Sequence, residues 1–289
     1  MRDIIISIRL QQWIKNLFLF AALIFSGHLF VLDDVILTVV GFVLFSLASS
    51  AVYLFNDCTD IERDRLHPIK SQRPLPSGRL SVRTALVVAT VLALISLIGA
   101  HLLGQAFGTV VGLYLILNIF YSLKLKELVI LDVMAIAAGF VLRVVAGATL
   151  IGVPTSEWLI ICTMLLSLFL GFSKRRVELV SLDELANPHR SVLAHYSAQF
   201  LDQMTGIVTA ATVMSYAVYT ISEETVAKFG TSDLIYTVPF VLYGIFRYLY
   251  LVHKREEGGD PTKTILTDVP SIVNLVLWIS AAGWIIYAR

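Results

Sequence analysis

Charge and cysteine are both scarce in this sequence. Only 15% of its 289 residues are Asp, Glu, Lys or Arg, where a soluble domain carries about 25%. There are two cysteines, Cys58 and Cys162, too few for a disulfide framework. No low-complexity tract interrupts the chain, and no polar stretch is long enough to make a soluble domain. These shortages exclude a soluble enzyme, a disordered chain and a secreted disulfide scaffold. A net charge of +1 gives no sign of a nucleic-acid partner. What the sequence has instead is apolar surface. Hydrophobic residues make up 57% of it and the mean hydropathy is +0.81, so the expected class is an integral membrane protein with the lipid bilayer as its first partner.

Nine runs are apolar and long enough to read as membrane-crossing helices, at about 16–31, 35–55, 84–103, 106–122, 130–151, 157–172, 204–222, 234–252 and 270–288. A crossing takes roughly 17–25 residues. The first and sixth runs are short, which suits a tilted helix or one that starts in the interface. The expected fold is therefore all-α, a polytopic membrane protein with nine transmembrane helices and a single domain over residues 1–289. The start of the chain does not read as a cleavable signal, because Arg9 and Lys15 interrupt it and no small-residue cleavage site follows an apolar core.

Nine crossings place the segments 1–15, 56–83, 121–129, 173–203 and 247–269 on one side. Those segments hold 19 of the 22 Lys and Arg residues. Cytoplasmic loops carry such an excess, so the N-terminus is expected inside, in the plasma (inner) membrane. Fifteen of the 21 carboxylates gather on or near the same side. Orientation alone does not explain them, since acids contribute little to it. A face rich in both signs suits a site that handles a metal and a polyanion.

The acids concentrate after the second run, in Asn56-Asp57-Cys58-Thr59-Asp60-Ile61-Glu62-Arg63-Asp64-Arg65. Spacings of three and four put Asp57, Asp60 and Asp64 on one face of a helix. Three carboxylates on one face repel unless a cation lies between them. Mg²⁺ prefers carboxylates together with the oxygens of a substrate phosphate, which points to a metal-bridged pyrophosphate. The plainer alternative is a solvated helix end whose acids pair with Arg63 and Arg65. In Lys70-Ser71-Gln72-Arg73-Pro74-Leu75-Pro76-Ser77-Gly78, Lys70 and Arg73 suit phosphate as point charge and fork, while the prolines and glycine shape a loop.

Asn56, Asp57, Asp60, Asp64 and Arg65, with Arg73-Pro74-Leu75 and Gly78, resemble the first aspartate-rich motif of the UbiA superfamily of intramembrane prenyltransferases. The resemblance implies a helical bundle around a central cavity open to the cytoplasm and laterally to lipid. Where that family's aromatic prenyltransferases carry a second aspartate-rich motif, this chain reads Gly171-Phe172-Ser173-Lys174-Arg175-Arg176-Val177-Glu178-Leu179, with Asp183 and Glu184 following in an expected loop. Its leading residues are cations. They suit direct phosphate binding, or else serve only as an inside-positive anchor. With Arg9 through Asn16, Tyr121 through Lys126, Leu131-Asp132, Gly139 through Arg143, and the stretch from Gly258 to Asp268, the chain looks like the decaprenyl-phosphate phosphoribosyltransferase branch. One departure is Val269, where a basic residue is expected after Asp268.

That branch implies a reaction in which the ribosyl unit of 5-phosphoribosyl 1-pyrophosphate joins a polyprenyl phosphate and pyrophosphate leaves. The alternative is a polyprenyl transferase acting on an aromatic, 4-hydroxybenzoate-like acceptor. In the first reading Asp57, Asp60 and Asp64 hold Mg²⁺, and Asn56 supplies a neutral oxygen or orients the ribose. Lys15, Asn16, Lys70 and Arg73 meet the sugar's phosphates. Tyr121 and Lys124 line the cavity, and Lys174 and Arg175 hold the lipid phosphate. Arg143, within the fifth run, needs an interior partner on another helix. That partner is either a structural ion pair or a substrate phosphate.

Overall fold

The structure, a computed structural model, describes residues 2–66, 69–183, 191–254 and 261–288. These divide into two compact units, Met1–Ser156 with His189–Val192 and Glu157–Pro188 with Leu193–Arg289. No strand occurs among the described residues, as expected of a chain whose backbone polar groups must be satisfied inside lipid.

The first unit contains α1 (Arg2–Ile8), a 3-10 segment (Leu10–Leu19), α2 (Phe20–Phe25), α3 (Leu32–Thr59), α4 (Ile61–Leu66), α5 (Val82–Leu103), α6 (Gln105–Leu123) and α7 (Leu131–Leu150). The second contains α8 (Glu157–Asp183), α9 (Ala198–Ile221), α10 (Glu223–Phe229), α11 (Val238–Lys254), α12 (Pro261–Thr267) and α13 (Val269–Tyr287). Polar caps start several of them. Ser81, Ser197 and Asp268 accept from the backbone N–H of the third residue of α5, α9 and α13, satisfying donors a helix end leaves open. Asp268 also grips Arg247 through two bonds of 3.0 and 2.7 Å. That pairing holds its carboxyl far below the usual carboxylate range.

Eight helices among the described residues are long and apolar enough to cross a membrane. The expected first crossing is not a ninth of that kind. Its sequence folds as three-residue turns over Leu10–Leu19 followed by the short α2. The reason is the polar content of α3. A 3-10 helix stacks residues three apart in one row, here Trp13, Asn16 and Leu19. Trp13 Nε1 donates to Ser50 Oγ at 3.0 Å, and Asn16 Nδ2 donates to Ser46 and Ser49 Oγ at 2.9 and 3.1 Å. The row thus satisfies three serines that are almost completely buried on α3. The segment starts beside Asp57, where Arg9 bonds, and ends beside Asp34, where His28 bonds. It therefore follows α3 for about 35 Å at 1.5 Å per residue.

The core of this unit is aromatic and aliphatic: Leu19, Phe45, Phe107, Val111, Tyr114 and Ala146. Small residues let helices approach closely in a bilayer, and Gly147 takes this furthest. A Cβ there would stand 2.0 Å from the carbonyl oxygen of Leu19. In the second unit α13 leaves Val273, Val276, Leu277 and Ile279 exposed, an apolar surface suited to lipid. The α8 helix continues through Asp183, so that residue is helical and not in the loop expected from sequence. Glu184, His67, His189 and the stretch Gly258-Gly259-Asp260 lie outside the described residues.

Candidate functional site

The aspartates do not share one uninterrupted helix face. The α3 helix stops at Thr59, Asp60 caps it with φ −103° and ψ 7°, and α4 starts at Ile61. The break divides the motif. Asp57 and Asp64, both buried, meet at Arg73, whose Nη1 lies 3.2 Å from Asp57 Oδ1 and 2.8 Å from Asp64 Oδ2. Asp60 turns elsewhere. It accepts from Asn56 Nδ2 at 3.1 Å and from Lys126 Nζ at 2.6 Å. Among the described residues no three acidic, His or Cys groups are gathered closely enough to form a metal cluster.

Cations surround these carboxylates. Arg9 donates to the same Asp57 oxygen as Arg73, and its guanidinium lies 5.3 Å from the ring centre of Tyr53. Lys70 stands 3.9 Å from Asp64. Arg63 and Arg65 are not the partners of the three aspartates. Arg63 bonds Glu127, whose carboxyl is held below its ordinary range by that bond, and Arg65 bonds Glu62 and the Pro76 carbonyl. The loop after Arg73 turns through Gly78 at φ 77°, a left-handed conformation that favours glycine. It buries Leu75 and so fixes where Arg73 leaves the backbone.

Two members of this group escape a reading of motifs alone. Lys126, not Lys124, reaches the aspartates. Lys126 is 6% exposed, whereas Lys124 is exposed at the end of α6. A single residue separates these lysines, and only the 3-10 turn Leu125–Glu127 decides which one points inward. Arg9 is the other. Its backbone is left-handed at φ 56° and ψ 54°, uncommon for a non-glycine residue. The alternation of helix types that produces this turn leaves no local signal beyond the polar run Arg9–Asn16.

Arg143 and Asn16 are placed together, but away from the aspartates. Arg143 is buried and donates to Asn16 Oδ1 at 2.8 Å, the Gly139 carbonyl at 2.8 Å and Tyr114 Oη at 3.0 Å. The rings of Phe45, Tyr114 and Phe140 lie 4.9–5.5 Å from the guanidinium carbon. Two of these partners, Asn16 and Tyr114, stand on other elements, as a charge inside a membrane span requires, while Gly139 lies one turn back on α7 itself. Asn16 also bonds Ser46 and Ser49, which puts this network about 12–16 Å along α3 from Asp57. Lys15 and Tyr121 are half-buried.

In the second unit, Lys174 and Arg175 turn to Glu178 at 3.8 and 2.6 Å. Arg176 bonds Asp202 at 2.5 Å, which ties α8 to α9. Arg175 is the largest fully buried side chain of the protein's described residues.

The profile described as the UbiA prenyltransferase family matches residues 17–267. The chain is 31% identical over 288 residues to the decaprenyl-phosphate phosphoribosyltransferase of Corynebacterium glutamicum, covering 97% of this chain and 86% of that protein. It is 30% identical over 292 residues to the protein of the same name from Mycolicibacterium smegmatis, with coverage of 97% and 91%. Among solved structures, a UbiA homologue from Archaeoglobus fulgidus bound to GPP and Mg²⁺ has the same fold, with a TM-score of 0.72 at 20% identity over 98% of this chain and 99% of that one.

Proposed function

This chain belongs to the UbiA prenyltransferase family, and we propose that within it the protein transfers the 5-phosphoribosyl group of 5-phosphoribosyl 1-pyrophosphate to a polyprenyl phosphate, with release of pyrophosphate. The observation that carries this reading is the arrangement of charge. One group of carboxylates, Asp57, Asp60 and Asp64, lies among Arg9, Lys70, Arg73 and Lys126. The C-terminal half of α8 offers Lys174, Arg175 and Arg176 in place of a second acidic motif. The names of the relatives that match almost the whole chain support the same reaction. A polyprenyl phosphate in decaprenyl form, the plasma membrane and a cytoplasmic active site belong to this proposal, as does a single functional domain over residues 1–289.

The donors suit a hard divalent cation such as Mg²⁺. They are all oxygens, and the buried Oδ1 of Asn56 has no hydrogen-bond partner. An unsatisfied neutral oxygen beside carboxylates is what such an ion takes up. Asn56, Asp57, Asp60 and Asp64 would hold it. Bound there, it supplies positive charge for the departing pyrophosphate.

The chain's own residues do the rest. Arg73 and Lys70 bind the phosphate oxygens of the sugar substrate, and Lys126 orients Asp60. Lys15, Tyr121 and Lys124 line the substrate's path. Arg143 and Asn16 act at a distance, by fixing the 3-10 segment that carries Arg9 and Lys15. Lys174 and Arg175 hold the phosphate of the lipid. That phosphate is already anionic near neutral pH, so no strong general base is needed. Rate acceleration comes from positioning and charge stabilisation, as the bond from the anomeric carbon to pyrophosphate breaks and the bond to the lipid phosphate oxygen forms.

The test is direct. Purified protein given ribose-labelled 5-phosphoribosyl 1-pyrophosphate and a polyprenyl phosphate should move the label into the lipid fraction, with equimolar pyrophosphate. Lys174→Gln should raise the KM for the lipid phosphate about tenfold and leave the KM for the sugar substrate within about twofold. Product formed only from a prenyl pyrophosphate and a hydroxybenzoate would refute the branch assignment.

A further inference from the structure

Two guanidinium groups on one carboxylate oxygen are more than that oxygen requires. Arg9 and Arg73 both donate to Asp57 Oδ1, and Arg73 serves Asp64 as well. Lys70 adds a second cation beside Asp64, and Lys126 neutralises Asp60. Four cations thus face three carboxylates before any ligand arrives. The surplus is easiest to locate at Arg9. Removing its bond leaves Asp57 still paired through Arg73, whereas removing Arg73 takes a bond from both Asp57 and Asp64 and leaves Asp64 only the longer contact with Lys70. Arg9 is also built to stay near the site whatever it binds. Its backbone is held left-handed between two helical segments, the 3-10 segment that follows it is tied to α3 by Trp13 and Asn16, and its side chain lies 5.3 Å from the Tyr53 ring centre. At 19% side-chain exposure it remains reachable.

We propose that Arg9 is an anion-binding residue of this site that rests on Asp57 in the ligand-free protein and turns to a phosphate of the pyrophosphate substrate when a divalent cation occupies Asp57. The inference rests on the metal and pyrophosphate reading above and adds a competition to it. Arg9 opposes metal binding while no anion is present, and favours the metal–pyrophosphate pair once both are. A guanidinium suits the second role, because its fork matches phosphate geometry. The cost of withdrawing it from Asp57 is small, since Tyr53 still faces it and Arg73 still serves the carboxylate.

This predicts effects of opposite sign from one substitution. In full-length protein in detergent, with Mn²⁺ as the probe, Arg9→Gln should bind Mn²⁺ alone about threefold or more tightly than wild type. It should bind inorganic pyrophosphate in the presence of Mn²⁺ about tenfold or more weakly, the loss expected for one charge-assisted phosphate contact. Arg9→Lys should recover part of the pyrophosphate affinity. Arg83→Gln, an exposed cation at the start of α5, should change neither. A role confined to holding the fold would weaken both affinities together in Arg9→Gln and Arg9→Lys alike, and would overturn the proposal, as would wild-type values for both ligands. Wild-type protein that takes up no Mn²⁺ even with pyrophosphate would remove the metal reading itself, and this inference with it.

Discussion

Asp57→Asn should lower turnover by about a thousandfold while leaving the protein folded. Asparagine has the shape of aspartate and keeps an acceptor oxygen for Arg9 and Arg73, so the packing at the end of α3 survives. What disappears is the negative charge, at a position 3% exposed where water does little to replace it. Electrostatic groups aimed at developing charge contribute about 10²–10³ in rate each, and loss of a metal-holding carboxylate removes the ion's contribution as well. Arg9 loses its counter-charge while Arg73 keeps Asp64, and both are partly exposed, at 19% and 33% of their side chains, so the stability cost stays at about 1–3 kcal/mol. Asp60→Asn should likewise abolish metal-dependent turnover. Rate against Mg²⁺ concentration, with thermal unfolding followed by circular dichroism, separates the two effects. Near-normal rates for both variants at saturating Mg²⁺ would eliminate the carboxylates from the chemistry.

Gly147→Ala is expected to have the largest effect on stability of any single methyl added to the first unit. The new Cβ would sit 2.0 Å from Leu19 O, 2.8 Å from Leu19 C and 3.1 Å from Leu19 Cα. All three are backbone atoms, so no rotamer change relieves the contact. The 3-10 segment must move away from α7, and its polar contacts move with it. Asn16 would release Arg143, Ser46 and Ser49, and Trp13 would release Ser50. Overpacking costs about 1–3 kcal/mol, and each buried polar group left without its partner adds about 1–3 kcal/mol. The total, about 4 kcal/mol or more, is a large share of the 5–15 kcal/mol typical of a folded protein. Gly206→Ala is the comparison, since nothing lies within 4 Å of a Cβ there, and it should be neutral or stabilise by up to about 1 kcal/mol. Thermal unfolding of both in the same detergent decides the matter, and equal midpoints for Gly147→Ala and wild type would show that the close approach to Leu19 is not needed.

Much of the fold is readable in the chain because a bilayer imposes one requirement on every crossing. Runs two to nine each contain enough apolar residues to meet it, and each has a matching helix. The first run was legible as a crossing-length segment but not as the helix type it adopts. The polar residues at and just before its start, Gln11, Gln12, Lys15 and Asn16, favour no particular period by themselves, and the three-residue turns over Leu10–Leu19 place Asn16 against serines of α3 thirty or more positions away. Similar reasoning applies to the aspartates. Spacings of three and four promise one face only if the helix continues, and no glycine or proline between Asp57 and Asp64 announces the stop at Thr59.

Composition and local spacing were sufficient to determine a helical protein with many apolar spans, and the grouping in sequence of Asn56, Asp57, Asp60 and Asp64 with neighbouring cations. These are properties of neighbours in sequence, and short-range physics governs them. Only the tertiary structure decided which cation meets which acid: Arg9 and Arg73 at Asp57, Arg73 and Lys70 at Asp64, and Lys126 at Asp60. It also decided that Arg143 would be satisfied by Asn16 and Tyr114. An ion pair depends on a few ångströms of separation between side chains, and for residues up to 127 positions apart that separation is set by helix packing.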